Sequence, residues 1–359
     1  SFSGIAVIKS YNLQGIISRG FDDLATDSYQ KNMSLVRVQA WFFPLMILLI
    51  GCSNLIVIYV GGNQYINGEI EIGVLAEFII YVNMLTWPVA VVGWITSIVQ
   101  QAEASQKRIN IFLKEQPEIS NGKGAFKSIM GEIELKNVSL LYPETQIKAL
   151  NDVSIKISPG TTVGIIGNIG SGKSSILDLI CRLYDPSEGS ITLDGVDLKE
   201  YTLDQIRESI GYVPQNAFLF SESIENNIRF GSQKGDLEKI KDVSKKAVVH
   251  DNIISFAKGY ETLLGERGVT LSGGQIQRIS IARALIKDSK ILLLDDCLSA
   301  VDTDTEEEIL KHLKKVSENK TTLIVSHRIS SLKNANKIIV IENGKIVQQG
   351  EHSYLIGVE

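Results

Sequence analysis

Gly167-Asn168-Ile169-Gly170-Ser171-Gly172-Lys173-Ser174 is the stretch that most restricts how this 359-residue chain can fold. It follows a β-rich run at residues 162–166 and leads into residues 175–181, which have helical character. The string fits G-x-x-x-x-G-K-[ST] in the strand–loop–helix setting that the pattern needs. Its glycines let backbone N–H groups close around phosphate oxygens at a helix N-terminus. Lys173 brings a positive charge to the terminal phosphates, and the Ser174 hydroxyl can ligate Mg²⁺. A chance match should occur in roughly 1 in 100 chains of this length, so the surroundings must carry the assignment. The expected nucleoside triphosphate site comprises Gly167, Asn168, Gly170, Ser171, Gly172, Lys173, Ser174 and Ser175.

Two further elements suit that site. In KILLLDD, residues 290–296, an uninterrupted aliphatic run predicts a strand buried on both faces that ends in two acids. Ligands of open parallel sheets bind at that carboxyl edge. Asp295 is then placed to hold the Mg²⁺ shell and Asp296 to meet the attacking water. The second element is Leu271-Ser272-Gly273-Gly274-Gln275, followed by IQRISIARALI, in which Ile276, Ile279, Ile281, Ala284 and Leu285 form an apolar helical face. Ser272 and the paired glycines open that helix, and a capped N-terminus is a second anion site. LSGGQ should arise by chance in fewer than roughly 1 in 1,000 such chains.

The first hundred residues obey different rules. WFFPLMILLIGCSNLIVIYVGG, residues 41–62, carries no charge and has the length of about 20 residues that a helix needs to cross a bilayer. Residues 72–99 are also apolar, with Glu77, Asn83 and Pro88 tolerated where they face a bundle interior or the interface. Glu77 lies near the outer end of its helix, which favours an interfacial carboxylate over a substrate contact. The loop at 61–71 has no Lys or Arg. Lys9, Arg19, Lys31 and Arg37 precede the first run, and Lys107, Arg108 and Lys114 follow the second. Both ends are therefore expected on the cytoplasmic side. Two core helices of a soluble protein are the alternative, which run length and charge asymmetry disfavour. After Gln100 the chain turns polar, and Pro117, Asn121-Gly122 and Lys123-Gly124 break any helix, so a linker is expected before a soluble domain from about Gly131.

A net charge of −5 gives no broad basic field and disfavours a nucleic-acid partner. Cys52, Cys181 and Cys297 are too few and too scattered for a disulfide framework or a zinc site. The chain opens at Ser1 without a signal-peptide pattern and is expected to be truncated.

LSGGQ downstream of GNIGSGKS resembles the signature motif of ATP-binding-cassette (ABC) ATPases, and the family's other motifs occur in order. By that resemblance Tyr142 in LLYPE stacks on adenine, and Gln215 in YVPQ links Mg²⁺ and water to the membrane domain. Ser299 to Asp302 forms the loop between two sites, and His327 in IVSHR is the switch histidine near the γ-phosphate. Taken alone, Tyr142, Gln215 and His327 would pass for ordinary packing, surface and strand-end residues. FSGIAVIKSYNLQ, residues 2–14, is similar to an exporter intracellular loop, and GERG, residues 265–268, to the exporter segment before the signature. YVNMLTWPVAVVGWITSIVQQAEASQKRI and LLLDDCLSAVD are most similar to bacterial half-transporters of the MdlA-like, multidrug or lipid type. Such proteins carry six spans before the ATPase domain, so the last two are expected here, and residue 359 is expected to precede the family's final helix.

The resemblance implies a membrane all-α part, with two transmembrane helices of an exporter bundle, at 1–106. A linker at 107–130 follows, then an α/β P-loop NTPase at 131–359 with an ABC helical subdomain around 201–277. Asp296, His327 and Gln215 would be catalytic, and Ser174, Gln215 and Asp295 would hold Mg²⁺. Tyr142, the phosphate loop and Ser272, Gly273, Gly274 and Gln275 would bind ATP. The implied partners are a second subunit, membrane lipid and a small hydrophobic or amphipathic substrate, without nucleic acid. The implied place is the cell membrane, ATPase domain cytoplasmic. The family usually has Glu where Asp296 stands, which favours a heterodimer with one slow site. A homodimer, a mainly regulatory subunit and a soluble mechanochemical ATPase acting on nucleic acid are the rivals. The two apolar runs disfavour the last.

Overall fold

Three helices account for most of the first 116 residues in the computed structural model, which describes residues 4–124, 128–232, 235–265 and 271–355. The chain divides into two units, 1–116 and 117–359. In the first, α1 (Ile5–Ser10) precedes α2 (Gln14–Ile66) and α3 (Ile72–Lys114). The start of the expected intracellular loop, residues 2 and 3, lies outside the described residues. With 53 residues, α2 is about 80 Å long, more than twice the roughly 30 Å of a hydrocarbon core. Residues 41–62 are its apolar half, and the helix begins well before them. Gly68, at φ +72°, lies in the turn that reverses the chain.

Side-chain size sets how closely α2 and α3 approach. A Cβ at Gly93 would lie 3.2 Å from the Phe42 ring, and one at Gly61 would lie 2.5 Å from Leu75 Cδ1. Polar side chains in the apolar stretches satisfy themselves on their own helix. Asn83 Nδ2 donates to the Ile79 carbonyl at 2.7 Å, Thr96 Oγ1 to Val92 at 2.8 Å and Ser53 Oγ to Leu49 at 3.0 Å. Tyr81 donates to Glu77 one turn earlier. Back-bonding of this kind removes the cost of an unpaired polar group in hydrocarbon. Both helices continue through Pro44 and Pro88.

The second unit contains two sheets. β1 (Ile133–Leu141), β2 (Lys148–Ile157), β4 (Glu188–Leu193) and β5 (Val196–Asp197) form an antiparallel sheet in the order β2-β1-β4-β5. β3 (Thr162–Gly167), β6 (Ile210–Val213), β7 (Ile291–Asp295), β8 (Thr321–Val325), β9 (Lys337–Glu342) and β10 (Lys345–Gly350) form the other, in the order β10-β9-β3-β8-β7-β6. Its strands are parallel except at the β9–β10 edge, with Gly164 paired to Ile324 and Ile338, and Leu293 to Tyr212 and Leu323. All five residues of β7 are buried, as its aliphatic run requires.

The phosphate-loop helix α4 (Lys173–Ile180) buries Ile176, Leu177, Leu179 and Ile180 in a core shared with the antiparallel sheet. A second core joins β6 and β7 to α6 (Ile224–Arg229), α7 (Leu237–Lys246), α8 (His250–Ile254), α9 (Gly273–Leu285) and α10 (Thr303–Ser317). α5 (Leu203–Ser209) leads straight into β6, and α11 (His352–Leu355) follows β10.

Three details differ from the sequence argument. α3 carries the helix past position 106 to Lys114, since Gln100 to Lys114 contains no Gly or Pro and polarity alone does not end a helix. Residues 121–124 hold to the ATPase unit: Gly122 N–H donates to the Tyr201 carbonyl at 3.1 Å, and Gly124 N–H to Glu200 at 3.0 Å. The helical subdomain starts later than Tyr201, because β6 is a sheet strand and Tyr201 is wholly buried in the first core.

Candidate functional site

Gly167 ends β3 and Lys173 begins α4, so the glycine-rich loop turns the chain over the carboxyl edge of the parallel sheet. Two glycines are required sterically. A Cβ at Gly167 would lie 2.1 Å from the Ile341 carbonyl oxygen, and at Gly172, where φ is +95°, one would lie 2.3 Å from the Ala149 carbonyl oxygen. Lys173 is 6% exposed, and its ammonium donates to the carbonyls of Gly167 at 2.9 Å and Asn168 at 2.8 Å. Burial pulls its pKa below the usual lysine value, against the opposing charges of Asp295 and Asp296. Ser171 Oγ is buried without a hydrogen-bond partner. A loop with an orphaned hydroxyl and a lysine resting on its own carbonyls suits an anion with several acceptor oxygens.

Asp295, at the end of β7, is 3% exposed and accepts a 3.0 Å hydrogen bond from Ser174 Oγ. Burial raises its carboxyl pKa above the ordinary range. The Ser174 bond, Lys173 and His327 oppose that rise, and Asp296 adds to it. A hydroxyl and a carboxylate at this separation fit the oxygen donor set of a hard divalent cation, so Ser174 and Asp295 fit Mg²⁺.

Asp296 follows in the left-handed region at φ +42°, its N–H donating to the Val325 carbonyl at 2.9 Å. Aspartate enters that region more readily than most residues. His327 lies just beyond the end of β8 and is exposed. Gln215 lies beyond β6 and is exposed. The loop after β3 and residues after β6, β7 and β8 therefore share one sheet edge, where ligands of such sheets bind.

Tyr142 meets Ser175 at the first turn of α4. Tyr142 Oη and Ser175 Oγ are 2.8 Å apart, and the Tyr142 ring packs edge-on against Tyr184 with centroids 5.0 Å apart. The hydroxyl of Tyr142, which a stacking role does not need, is thus engaged, and so is that of Ser175, which is buried.

Ser272 caps α9 by a reciprocal box. Its Oγ accepts from Gln275 N–H at 3.3 Å, and Gln275 Oε1 accepts from Ser272 N–H at 3.0 Å. Gly273 and Gly274 pack on Ala300, and a Cβ at Gly274 would lie 2.8 Å from the Ala300 carbonyl oxygen. Among the described residues no hydrogen bond joins residues 272–275 to the phosphate loop of the same chain. Residues 266–268 of the GERG segment lie outside the described residues.

Sequence reasoning missed three side chains around residues 299–302. Gln277 is buried on α9, Glu306 is buried on α10, and Arg328 follows His327. The available signal for Gln277 was an amide two residues beyond the Gln275 of the cap, set between the apolar positions Ile276 and Ile279 of α9.

The model of the ABC transporter family matches residues 150–299, and that of the ABC transporter transmembrane region matches residues 1–89. The chain is 39% identical over 355 residues to the multidrug resistance-like ATP-binding protein MdlA of Escherichia coli, covering 99% of this chain and 60% of that protein. It is 38% identical to the probable multidrug resistance ABC transporter ATP-binding/permease protein YheI of Bacillus subtilis, with 99% and 61% covered. The ATP-dependent lipid A-core flippase of Pseudomonas fluorescens is 33% identical, with 99% and 59% covered. Among solved structures, a bacterial Atm1-family ABC exporter with ATP bound superposes with a TM-score of 0.85 at 29% identity, covering 99% of this chain and 62% of that one. The chain thus spans about three fifths of these relatives. With both family regions present in order and the phosphate loop, Ser174–Asp295 pair and capped signature helix in place, this chain belongs to the ATP-binding-cassette transporters and carries their membrane region and ATPase.

Proposed function

We propose that this chain is the ATP-hydrolysing part of an exporter subunit, coupling ATP binding and hydrolysis at a dimer interface to outward movement of a hydrophobic or amphipathic solute. The carrying observation is the meeting of Lys173, Ser174, Asp295, Asp296 and His327 at one sheet edge, in a chain that also holds two helices long enough to cross a membrane. The segment that follows α3, from residue 115, joins the membrane part to an ATPase part on the cytoplasmic side. An aromatic-lined groove of about 630 Å³ between Phe42, Phe43, Trp87 and Trp94 supports an apolar solute.

On ATP binding, Lys173 exchanges its bonds to the Gly167 and Asn168 carbonyls for phosphate oxygens, and Ser171 Oγ gains the acceptor it lacks. Ser174 and Asp295 would hold Mg²⁺, which when bound supplies charge neutralisation at the β- and γ-phosphates. Asp296 orients the attacking water, His327 contacts the γ-phosphate, and Gln215 relays its state to the membrane part. Tyr142 supports the adenine. In this reading the signature serves a partner: Gly170, Gly172, Lys173 and Ser174 of one subunit face Ser272 and Gly274 of the other. Closing that sandwich gives the differential binding energy that shifts the spans outward. Asp296 favours a heterodimer in which this site is slow and the intact signature completes a faster one.

The test is Ser272→Arg in the full-length transporter in lipid. ATP affinity should stay within about twofold while turnover falls at least about 100-fold, since a donor at the partner's phosphates is lost to a clash. Equal loss of binding and turnover would count against a sandwich.

A further inference from the structure

Residues 296–302 run between the signature helix and the strand that carries His327, and they are gripped from both sides. From α9, Gln277 Nε2 donates to Ser299 Oγ at 3.1 Å, and its Oε1 accepts from Ala300 N–H at 3.0 Å. Ser299 Oγ in turn donates to the Asp296 carbonyl at 2.9 Å. From the other side, Arg328 donates to the Ser299 carbonyl at 3.4 Å and to that of Val301 at 3.5 Å, both long bonds. Its guanidinium also pairs with Glu306.

Glu306 makes this grip stiff. It is 3% exposed, and each carboxylate oxygen is used: Oε2 by Arg328, and Oε1 by Ser331 Oγ at 2.5 Å. A buried carboxylate is costly without its partners, so Arg328 cannot leave without stranding a charge. The same side chain that neutralises Glu306 therefore touches the loop that carries Asp296 at its start, and it adjoins His327.

We propose that Gln277, Arg328 and Glu306 are positioning residues that hold the 296–302 loop from its two sides. They tie the placement of Asp296 and His327 to the position of the signature helix within one chain. None of the three touches the reacting atoms. The proposal rests on the reading of Asp296 and His327 as catalytic. Its consequence is a selective loss of turnover, because the phosphate loop that binds ATP is held by separate contacts, and a misplacement of about 1 Å can cost on the order of 100-fold in rate.

The experiment uses the full-length transporter in lipid, with kcat taken as single-site ATP turnover at this chain's own site, and with equilibrium binding of a fluorescent ATP analogue and thermal unfolding measured alongside. Gln277→Ala and Arg328→Gln should each lower kcat about 10-fold or more with nucleotide affinity within about twofold. Their combination should fall no more than about threefold below the worse single variant, since both release the same loop. Because Arg328→Gln strands the Glu306 charge, Arg328→Gln/Glu306→Gln removes both charges together, and it should recover the unfolding temperature without recovering kcat. Recovery of kcat along with stability would reduce the trio to scaffolding and overturn the proposal, as would unchanged kcat or fully multiplicative losses. Asp296→Ala separates the two readings: wild-type turnover at this chain's own site in that variant sinks the catalytic assignment, whereas its collapse beside unaffected Gln277 and Arg328 variants sinks only the positioning.

Discussion

The membrane region and the ATPase unit use the same aliphatic residues to opposite ends. In α2 and α3 the long apolar side chains point outward: Leu48 is 60% exposed and Leu85 61%. In the ATPase unit, Leu293 and Ile165 are wholly buried between parallel strands and helices. The helices therefore need surroundings that accept hydrocarbon, and away from close approaches such as Gly61 and Gly93 hydropathy constrains them more than exact shape does. The ATPase unit needs each side chain at a given place, because its polar groups act only when a dry frame aims them. One region is constrained mainly by composition and the other mainly by position.

The same substitution in both regions should separate these constraints most widely. Leu293→Asp places a carboxylate between β6 and β8 with no partner, a cost of at least about 4 kcal/mol that should abolish folding of the ATPase unit. Leu48→Asp lies in the apolar half of α2 and should cost about 2.5–3.5 kcal/mol in membrane insertion. Measured by nucleotide binding and by the membrane-integrated fraction, Leu293→Asp should lose the first, and Leu48→Asp should retain it while lowering the second. Equal damage to nucleotide binding would break the comparison.

How much could be foreseen follows the same division. Hydropathy located both apolar stretches but not the full helices, because Gln14 to Ala40 and Gln100 to Lys114 are polar helix that no run of hydrophobicity marks. In the ATPase unit the phosphate loop, Asp295 and the Ser272 cap were visible, since their chemistry works at short sequence spacing. The antiparallel sheet went unseen, and its β1 pairings shift register between Leu135 and Val138 and between Lys136 and Ser139, which blurs the alternation a strand search depends on. Gln277, Glu306 and Arg328 were invisible for another reason. Their partners lie 22 or more residues away, and only the fold brings them together.

A single-carbon change sharpens the contrast at the site. Asp296→Glu moves a carboxylate by about one C–C bond, roughly 1.5 Å, toward the attacking water that the proposed function places beyond good reach of the shorter acid. The backbone at φ +42° favours Asp over Glu, which tempers the gain without cancelling it. Single-site turnover should rise about tenfold or more, equivalent to about 1.4 kcal/mol. Ile47→Val in α2, also one carbon, should leave turnover within about twofold. A homodimer already turning over rapidly, with no gain from Glu, would refute a slow site.

The smallest effect comes from a single oxygen. If Tyr142 serves adenine only through its π face, Tyr142→Phe should bind ATP as wild type does, and Tyr142→Trp should also be tolerated, with only Tyr142→Ala losing about 1–3 kcal/mol. The structure argues for an added term, because the Tyr142 hydroxyl is bonded to buried Ser175 while Tyr184 braces the ring edge-on. A neutral hydrogen bond nets about 1 kcal/mol, and its loss leaves Ser175 Oγ buried without that partner. Tyr142→Phe should therefore weaken ATP binding by up to about fivefold, between wild type and Tyr142→Ala, and Ser175→Ala should cost much less in the Phe background than in wild type. Tyr59→Phe, the same deletion on an exposed position of α2, should change nothing measurable. Phe and Tyr at 142 with equal affinity would show that the hydroxyl bond does not orient the ring, and that even in the ATPase unit this position is governed by composition alone.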